Sequence, residues 1–186
     1  MKNSYINVIL NWIRPYTAFG LIFLLAVLMA LMFQGSRGLF EPDEGRYTNV
    51  ALQILQRNDW ISLFRNEWSM HFTKPPVTYW SIASSMAVFG NNEWAARLPM
   101  ALAFVATVAL MYGLGRGFAP KKPWLPALLY MLSPVPFLAA NTINTDTLLC
   151  LFITAFFYCY VNVVYLSAKQ IWLDVMWLML GFAFLT

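Results

Sequence analysis

The sequence predicts an all-α integral membrane protein, and three observations support that class. Hydrophobic residues make up 60% of the chain and charged residues only 11%, against roughly 25% charged residues in an ordinary soluble domain. Mean hydropathy is +0.60. Apolar runs recur along the chain, most of them near the ~20 residues that a helix needs to cross a bilayer. The formal net charge of +4 does not indicate nucleic-acid binding, because the basic residues are scattered.

The apolar runs predict five membrane spans, at about residues 16–34, 97–115, 123–140, 148–166 and 171–186. The last run is still apolar where the sequence stops. We therefore expect residues 1–186 to be a single unit, the N-terminal part of a longer transmembrane domain.

Basic residues between the spans predict their orientation. They lie before span one, between spans two and three, and between spans four and five: Lys2, Arg14, Arg116, Lys121, Lys122 and Lys169. Because cytoplasmic loops carry an excess of such residues, the N-terminus is expected in the cytoplasm. Alternation then places the large loop 35–96 and the short loop 141–147 outside.

The large outer loop carries two predicted interfacial helices. The first runs from Asp43 to Asn58, where apolar residues recur with the spacing of a one-sided helical stripe: Tyr47, Val50, Ala51, Ile54 and Leu55. The second runs from Val77 to Phe89 after a double proline, which suits a first helical turn. Its length of about thirteen residues is too short to cross the membrane.

A cluster of charged residues follows span one: Glu41, Asp43, Glu44 and Arg46. Ionisable side chains at a membrane boundary are costly to desolvate, so such a cluster indicates a functional site. Asp43 and Glu44 are adjacent and point about 100° apart on a helix, so both cannot face one substrate atom. The alternative is that both simply stabilise the helix N-terminus.

Cations on the same face have two interpretations. Lys74 precedes the double proline and suits a phosphate as a point-charge partner. The alternative is a lysine that reaches from the apolar boundary to water. The same two interpretations apply to Arg46 and Arg97. Of the two arginines, Arg97 fits better the interpretation as a plain anchor at the membrane interface.

Asp146 is the one charged residue between Lys122 and Lys169. It is predicted in the short outer turn at the same face as Asp43, either as a functional carboxylate or as an N-cap of span four. His71 is the only histidine, which excludes a multi-histidine metal centre. A solvated loop histidine is favoured over a site built from His71 and carboxylates, so a divalent metal is unsupported and no cofactor is predicted.

Carboxylates and a lysine on one membrane face suit a reaction between a lipid-linked phosphate donor and an acceptor outside. A cation would stabilise the leaving phosphate, and a carboxylate would position or deprotonate the acceptor. A transporter or flippase subunit is the first alternative, although transporters place charges near the bilayer midplane. A non-catalytic fragment is the second.

The ordered motifs of the chain resemble the N-terminal part of the GT-C membrane glycosyltransferases. The motifs are, in order, P-D-E-G-R-Y, N-D-W, K-P-P-V-T-Y-W, F-G-N-N-E-W-A-A-R-L-P and T-D-T, and the resemblance covers about residues 15–165. Within these enzymes the chain looks most like the bacterial lipid A 4-amino-4-deoxy-L-arabinose transferases. Those are similar to the dolichyl-phosphate-mannose protein mannosyltransferases.

The resemblance implies an inverting sugar transfer from a polyprenyl phosphate donor to lipid A or another acceptor, at the periplasmic face of the bacterial inner membrane. It implies that Asp43 is the catalytic aspartate and Asp146 the second important acid. Lys74 matches the lysine that contacts the carrier phosphate, with Arg46 and Glu44 beside the catalytic position. Thr73 stands where many relatives have an acidic residue, which argues against a metal contact there. Relatives of several hundred residues imply further spans and an outer domain.

Overall fold

The computed structural model describes residues 2–40, 42–165 and 169–186, with side chains from residue 17 onward. Glu41 and the end of the fourth predicted span lie outside these residues. The described chain forms eight α-helices: α1 (Lys2–Leu31), α2 (Asp43–Arg57), α3 (Val77–Phe89), α4 (Glu93–Phe118), α5 (Leu125–Leu132), α6 (Pro134–Ala140), α7 (Asp146–Tyr165) and α8 (Ile171–Phe184). An isolated antiparallel β-bridge pairs Phe64 with Met70. The predicted all-α class is confirmed.

Both helices of the large loop form where the sequence predicts them. Helix α2 starts after Pro42 and ends at Asn58, whose φ of 53° is left-handed. Helix α3 starts after Pro76 and ends at Gly90, where φ is +87° and glycine is favoured. The apolar stripe of α2 faces α3 and the start of α4 rather than solvent.

Helix α4 is the central element and contacts α1, α3, α5, α6 and α7. Asn92 caps it by accepting a hydrogen bond from the amide of Ala95 at 2.8 Å. Its 26 residues extend about 39 Å at 1.5 Å per residue. The helices α4 and α7 are both long and apolar enough to cross a membrane, with mean hydropathies of 1.8 and 2.0.

The third predicted span, 123–140, is interrupted, unlike the single helix that the sequence predicts. Helix α5 has eight residues and α6 has seven, and Ser133 between them is extended, with φ −69° and ψ 131°. Pro134 explains the break, because a proline disfavours helical geometry at the preceding residue and lacks a backbone donor. Chain direction therefore changes just before the turn that carries Asp146.

The end of α8 reaches the start of α3. The amide of Val77 donates to the carbonyl oxygen of Leu185 at 3.0 Å. The rings of Phe152 on α7 and Phe182 on α8 stack with centroids 5.3 Å apart. These contacts hold the start of α3, and the proline turn before it, against α8.

Two buried clusters hold the helices together. The outer cluster joins α2, α3, the start of α4 and the turn before α7, and it includes Val50, Ile54, Tyr79, Ile82, Met100 and Ile143. The inner cluster joins α1, α4, α5 and α6, and it includes Ala26, Ala30, Phe104, Val108, Ala127 and Met131. Large apolar side chains on α1, α7 and α8 are exposed, among them Leu21, Leu28, Phe157, Val164, Trp177 and Leu178. Exposed apolar surface on this scale fits contact with lipid.

Gly115 allows the turn after α4 to pack against that helix. A Cβ at Gly115 would lie 2.1 Å from the carbonyl oxygen of Pro123, whereas a Cβ at Gly117 would meet nothing within 4 Å. We expect Gly115→Ala to lower the free energy of unfolding by about 1–3 kcal/mol, because backbone must move to admit the methyl group. Gly117→Ala is the matched control and should be neutral or stabilising. Unfolding in mixed detergent micelles measures both, and equal stabilities would contradict the close approach.

Candidate functional site

The first turn of α2 points its two acids in different directions. Asp43 is exposed, whereas Glu44 is only 3% exposed. This agrees with the sequence-based expectation that the adjacent carboxylates do not share one environment. The two residues therefore have separate roles at the same outer end of the helices.

Glu44 accepts hydrogen bonds from four residues. Its carboxylate oxygens lie 2.7 Å from Nη1 of Arg37, and 2.9 and 3.0 Å from Nε and Nη2 of Arg97. The backbone amides of Phe40 and Ile143 donate to the same carboxylate at 2.8 and 2.9 Å. These donors occupy both oxygens, so Glu44 has little capacity left for the substrate contact expected from the sequence.

Arg97 is fully buried, and the interpretation of it as a plain interfacial anchor is wrong. Beyond Glu44, its guanidinium donates to the backbone carbonyls of Gln34, Arg37 and Gly38 at 2.7, 2.9 and 2.7 Å. All three carbonyls belong to the segment between α1 and α2, which has no regular structure to satisfy them. A buried charge is tolerated when it is paired and hydrogen-bonded in this way.

Arg37 connects this cluster to the turn between α6 and α7. Its Nη2 donates to the carbonyl oxygen of Asn141 at 2.9 Å, and its guanidinium lies 4.1 Å from the ring centre of Phe40. The Glu44 cluster, defined as Arg37, Glu44 and Arg97, therefore joins α2, α4, the α1–α2 segment and the α6–α7 turn. Sequence reasoning missed Arg37, although a buried carboxylate on α2 requires cationic partners.

The Glu44 cluster keeps its carboxylate ionised. Burial alone would raise the pKa of Glu44, but the hydrogen bonds from Arg97, Arg37, Phe40 and Ile143 outweigh burial and lower the pKa to about 2. The charged form is therefore the one that the folded structure binds.

Asp43 pairs with the neighbouring helical turn. Its carboxylate forms an exposed ion pair with Nη2 of Arg46. The Arg46 guanidinium also lies 5.3 Å from the ring centre of Tyr47. The Arg46 Nε is buried and has no hydrogen-bond partner among the described residues. The pair fixes the Asp43 carboxylate at the surface without burying it.

Lys74 borders a groove of about 510 Å³. The groove walls are mostly apolar, and they come from the loop between α2 and α3: Ile61, Ser62, Leu63, Met70, His71, Phe72, Thr73, Pro75 and Pro76. Lys74 itself is exposed and has no ion-pair partner within the described ranges. An apolar groove with one free cation at its edge suits a chain that is apolar except for an anionic head.

His71 is buried under this groove, so the prediction of a solvated loop histidine is wrong. Its Nε2 lies 2.7 Å from Oη of Tyr79 and 3.0 Å from Oγ1 of Thr73. Burial lowers the pKa of His71, and the charges of Arg46 and Arg65 lower it further. His71 therefore helps to hold the Lys74 loop on α3. No group of three or more potential metal-ligating side chains occurs among the residues that the structure describes.

Asp146 is the first residue of α7 and is exposed. It does not cap the helix: Asn144 does, accepting from the amide and hydroxyl of Thr147, both at 2.8 Å. Asp146 accepts one hydrogen bond, from the Thr145 hydroxyl at 3.3 Å. Three residues earlier, Ile143 donates its amide to Glu44, so the turn of Asp146 is tied to the turn of Asp43.

The helical fold defines a class of membrane protein, and solved structures share it. The crystal structure of ArnT from Cupriavidus metallidurans bound to undecaprenyl phosphate is similar, with a TM-score of 0.83 and 24% identity, over 95% of this chain and 32% of that one. The apo structure of the same protein gives a TM-score of 0.82 at 25% identity, over 92% and 33%. The fold is thus that of the GT-C membrane proteins.

Sequence comparison then shows the family. The family described as dolichyl-phosphate-mannose-protein mannosyltransferase matches residues 73–186. The chain belongs to this family, which agrees with the resemblance found from its motifs.

This chain matches only part of the length of each individual relative. An undecaprenyl phosphate-alpha-4-amino-4-deoxy-L-arabinose arabinosyl transferase 2 from Pseudomonas fluorescens (strain Pf0-1) is 41% identical, over 59% of this chain and 20% of the relative. A transferase 1 of the same description, from strain Pf-5, is 36% identical over 73% and 24%. The chain therefore spans about a fifth to a quarter of the length of the curated relatives that it matches.

Ionisation of Glu44 should make stability depend on pH. The pKa of Glu44 in the folded protein, about 2, is below the ordinary value of 4.5. The contribution of the ionised carboxylate to the free energy of unfolding is therefore complete above pH 4.5 and is lost as the pH falls towards 2. The full contribution is about 3 kcal/mol. We expect Glu44→Gln to lower the free energy of unfolding at pH 7 by a similar amount, and to remove this dependence.

Asp43→Asn is the matched control for stability. Its ion pair is exposed, so we expect a loss of at most about 1 kcal/mol. Unfolding in detergent at a series of pH values measures all three proteins. An unchanged pH profile in Glu44→Gln would show that another group causes the dependence.

Proposed function

We propose that this chain supplies the donor-binding groove and the acceptor-activating carboxylates of a glycosyltransferase that uses a polyprenyl phosphate-linked sugar. The single observation that carries the proposal is that Glu44 ties the turn before the exposed Asp146 to the helical turn of the exposed Asp43, while the loop that follows α2 forms an apolar groove with Lys74 at its edge. The relatives from Pseudomonas fluorescens are undecaprenyl phosphate-alpha-4-amino-4-deoxy-L-arabinose arabinosyl transferases, and this supports the substrate class. Lipid A or another glycan or protein outside the membrane is the proposed acceptor.

The groove bordered by Lys74 fits the donor. A polyprenyl chain is apolar, and its phosphate needs a cation where the groove opens. Lys74 would bind that phosphate and stabilise the negative charge that it gains as the sugar leaves. The similar ArnT structure with bound undecaprenyl phosphate supports this type of ligand.

Asp43 would act on the acceptor. In an inverting transfer, the acceptor oxygen forms a bond to the anomeric carbon while the bond from that carbon to the phosphate oxygen breaks. Asp43 would take the acceptor proton, and Arg46 would orient its carboxylate. Asp146, on the turn tied to Glu44, would position the sugar or the acceptor as the second acid.

Glu44 would hold the site together without contacting substrate. Its bonds fix the segment that precedes Pro42 and the turn that precedes Asp146. Small errors in the placement of catalytic groups cost much of the rate. This role replaces the direct substrate contact expected from the sequence.

The proposed location is the bacterial inner membrane, with this face in the periplasm and the N-terminus in the cytoplasm. Glu93, Arg97 and the Glu44 cluster lie at the start of α4, whereas Arg116 lies at its end. Lys121 and Lys122 follow in the next turn. The positive-inside rule favours the cytoplasm for that basic end.

Lys74→Gln tests the donor site on this chain directly. We expect binding of a polyprenyl phosphate in detergent to weaken about tenfold, because a charged partner of the phosphate is lost. Lys121→Gln is the matched control, since it removes an exposed lysine at the other end of α4. Equal affinities of Lys74→Gln and the unmodified chain would remove Lys74 from the proposed site.

Asp43→Asn tests the catalytic role in a fusion where this chain replaces the matched third of the Cupriavidus metallidurans protein. We expect transfer of radiolabelled sugar to fall by at least about a hundredfold, while polyprenyl phosphate binding by the chain is retained. Glu67→Gln, an exposed acid of the same outer loop, should keep activity. Transfer by Asp43→Asn at the rate of the parent fusion would refute the role, and an inactive parent fusion would count against the proposed function.

A further inference from the structure

A second cavity lies beside Asp43, and it is polar rather than apolar. It has a volume of about 340 Å³ and is lined by Pro42, Gly45, Arg46, Asn49, Arg65 and Asn66. It shares no lining residue with the groove bordered by Lys74. Two arginines and two asparagines thus converge on one small space at the outer face.

Hydrogen bonds within the loop and between the loop and α2 hold the cavity in shape, and they leave side-chain donors of Arg65 and Asn66 unused. Nδ2 of Asn49 donates to the carbonyl oxygen of Arg65 at 2.6 Å, which ties the loop to α2. Oδ1 of Asn66 accepts from the amides of Trp68 and Ser69 at 3.0 and 2.8 Å. The Asn66 oxygen is therefore used within the turn formed by residues 66–69. The Nδ2 donor of Asn66 has no hydrogen-bond partner among the described residues.

The arginines retain unused donors. The Arg65 guanidinium has no hydrogen bond or ion pair within the described ranges, and the buried Nε of Arg46 has none either. Among the residues that the structure describes, Asp43 offsets the charge through its ion pair with Arg46.

We propose that this cavity is a second anion-binding site, which takes a phosphate-sized oxyanion of the acceptor. Arg65, the partly exposed guanidinium of Arg46 and the Asn66 amide supply donors to the anion, and Pro42 and Gly45 limit its size. Because Arg46 also pairs with Asp43, the bound anion places the rest of the acceptor next to the proposed base. Identification of the anion with the acceptor rests on the proposed function, whereas anion binding itself does not.

Inorganic phosphate tests the site on this chain in phosphatidylcholine nanodiscs at constant ionic strength. With ¹⁵N-labelled arginine, we expect the Nε–Hε resonances of Arg46 and Arg65 to shift together and to saturate. Arg65→Gln should weaken binding about tenfold, because the backbone of residue 65, which holds the loop, is unchanged. Lys121→Gln, which removes an exposed cation beyond the far end of α4, should leave the affinity unchanged.

Two results would overturn the proposal. Shifts that do not saturate, or an affinity that weakens equally in Lys121→Gln, would show only general attraction of anions to a basic surface. If phosphatidylglycerol nanodiscs produced the same shifts without added phosphate, the occupant would be a bilayer headgroup rather than the acceptor. Failure of the proposed function would give a different result. In that case the chain would not bind polyprenyl phosphate at Lys74, whereas inorganic phosphate would still bind in the cavity lined by Arg46 and Arg65.

Discussion

The outer half of this fold depends on one buried carboxylate. Desolvation of Glu44 would be costly at a membrane boundary, and the cost is offset because two guanidinium groups and two backbone amides converge on it. The donors come from three separate parts of the chain, the α1–α2 segment, α4 and the turn before α7, so the ion is satisfied only when all three are in place. A buried apolar cluster packs the same elements together, and the directional bonds to Glu44 add fixed angles as well as fixed distances.

Two surfaces of opposite character share this support. The Lys74 groove is apolar and bounded by prolines, whereas the cavity beside Asp43 is polar and basic. The proposed transfer, from a lipid-linked donor to a polar acceptor, would need both kinds of surface near one carboxylate. The loop between α2 and α3 contributes to each of them, and His71 anchors that loop on Tyr79.

Patterns of local origin were predictable from the sequence. The stripe on α2, the proline start of α3 and its end at Gly90 each follow from a few adjacent residues, and the structure has them at the expected positions. The break at Ser133 was also local, since Pro134 accounts for it, but the continuous hydropathy of 123–140 obscured it. Long-range pairing was not predictable: Arg97 lies 53 residues from Glu44, and sequence spacing alone does not tell a buried cation from an interfacial one.

The bond between the Val77 amide and the Leu185 carbonyl uses no side chain. Both positions can therefore change in evolution without loss of the joint, as long as position 77 keeps its amide hydrogen. A third consecutive proline, after Pro75 and Pro76, would remove that hydrogen and detach α3 from α8. The proline run therefore cannot extend to position 77, because the amide there binds a carbonyl more than a hundred residues away. In a comparison of homologous sequences, this constraint would appear only as the absence of proline at that position.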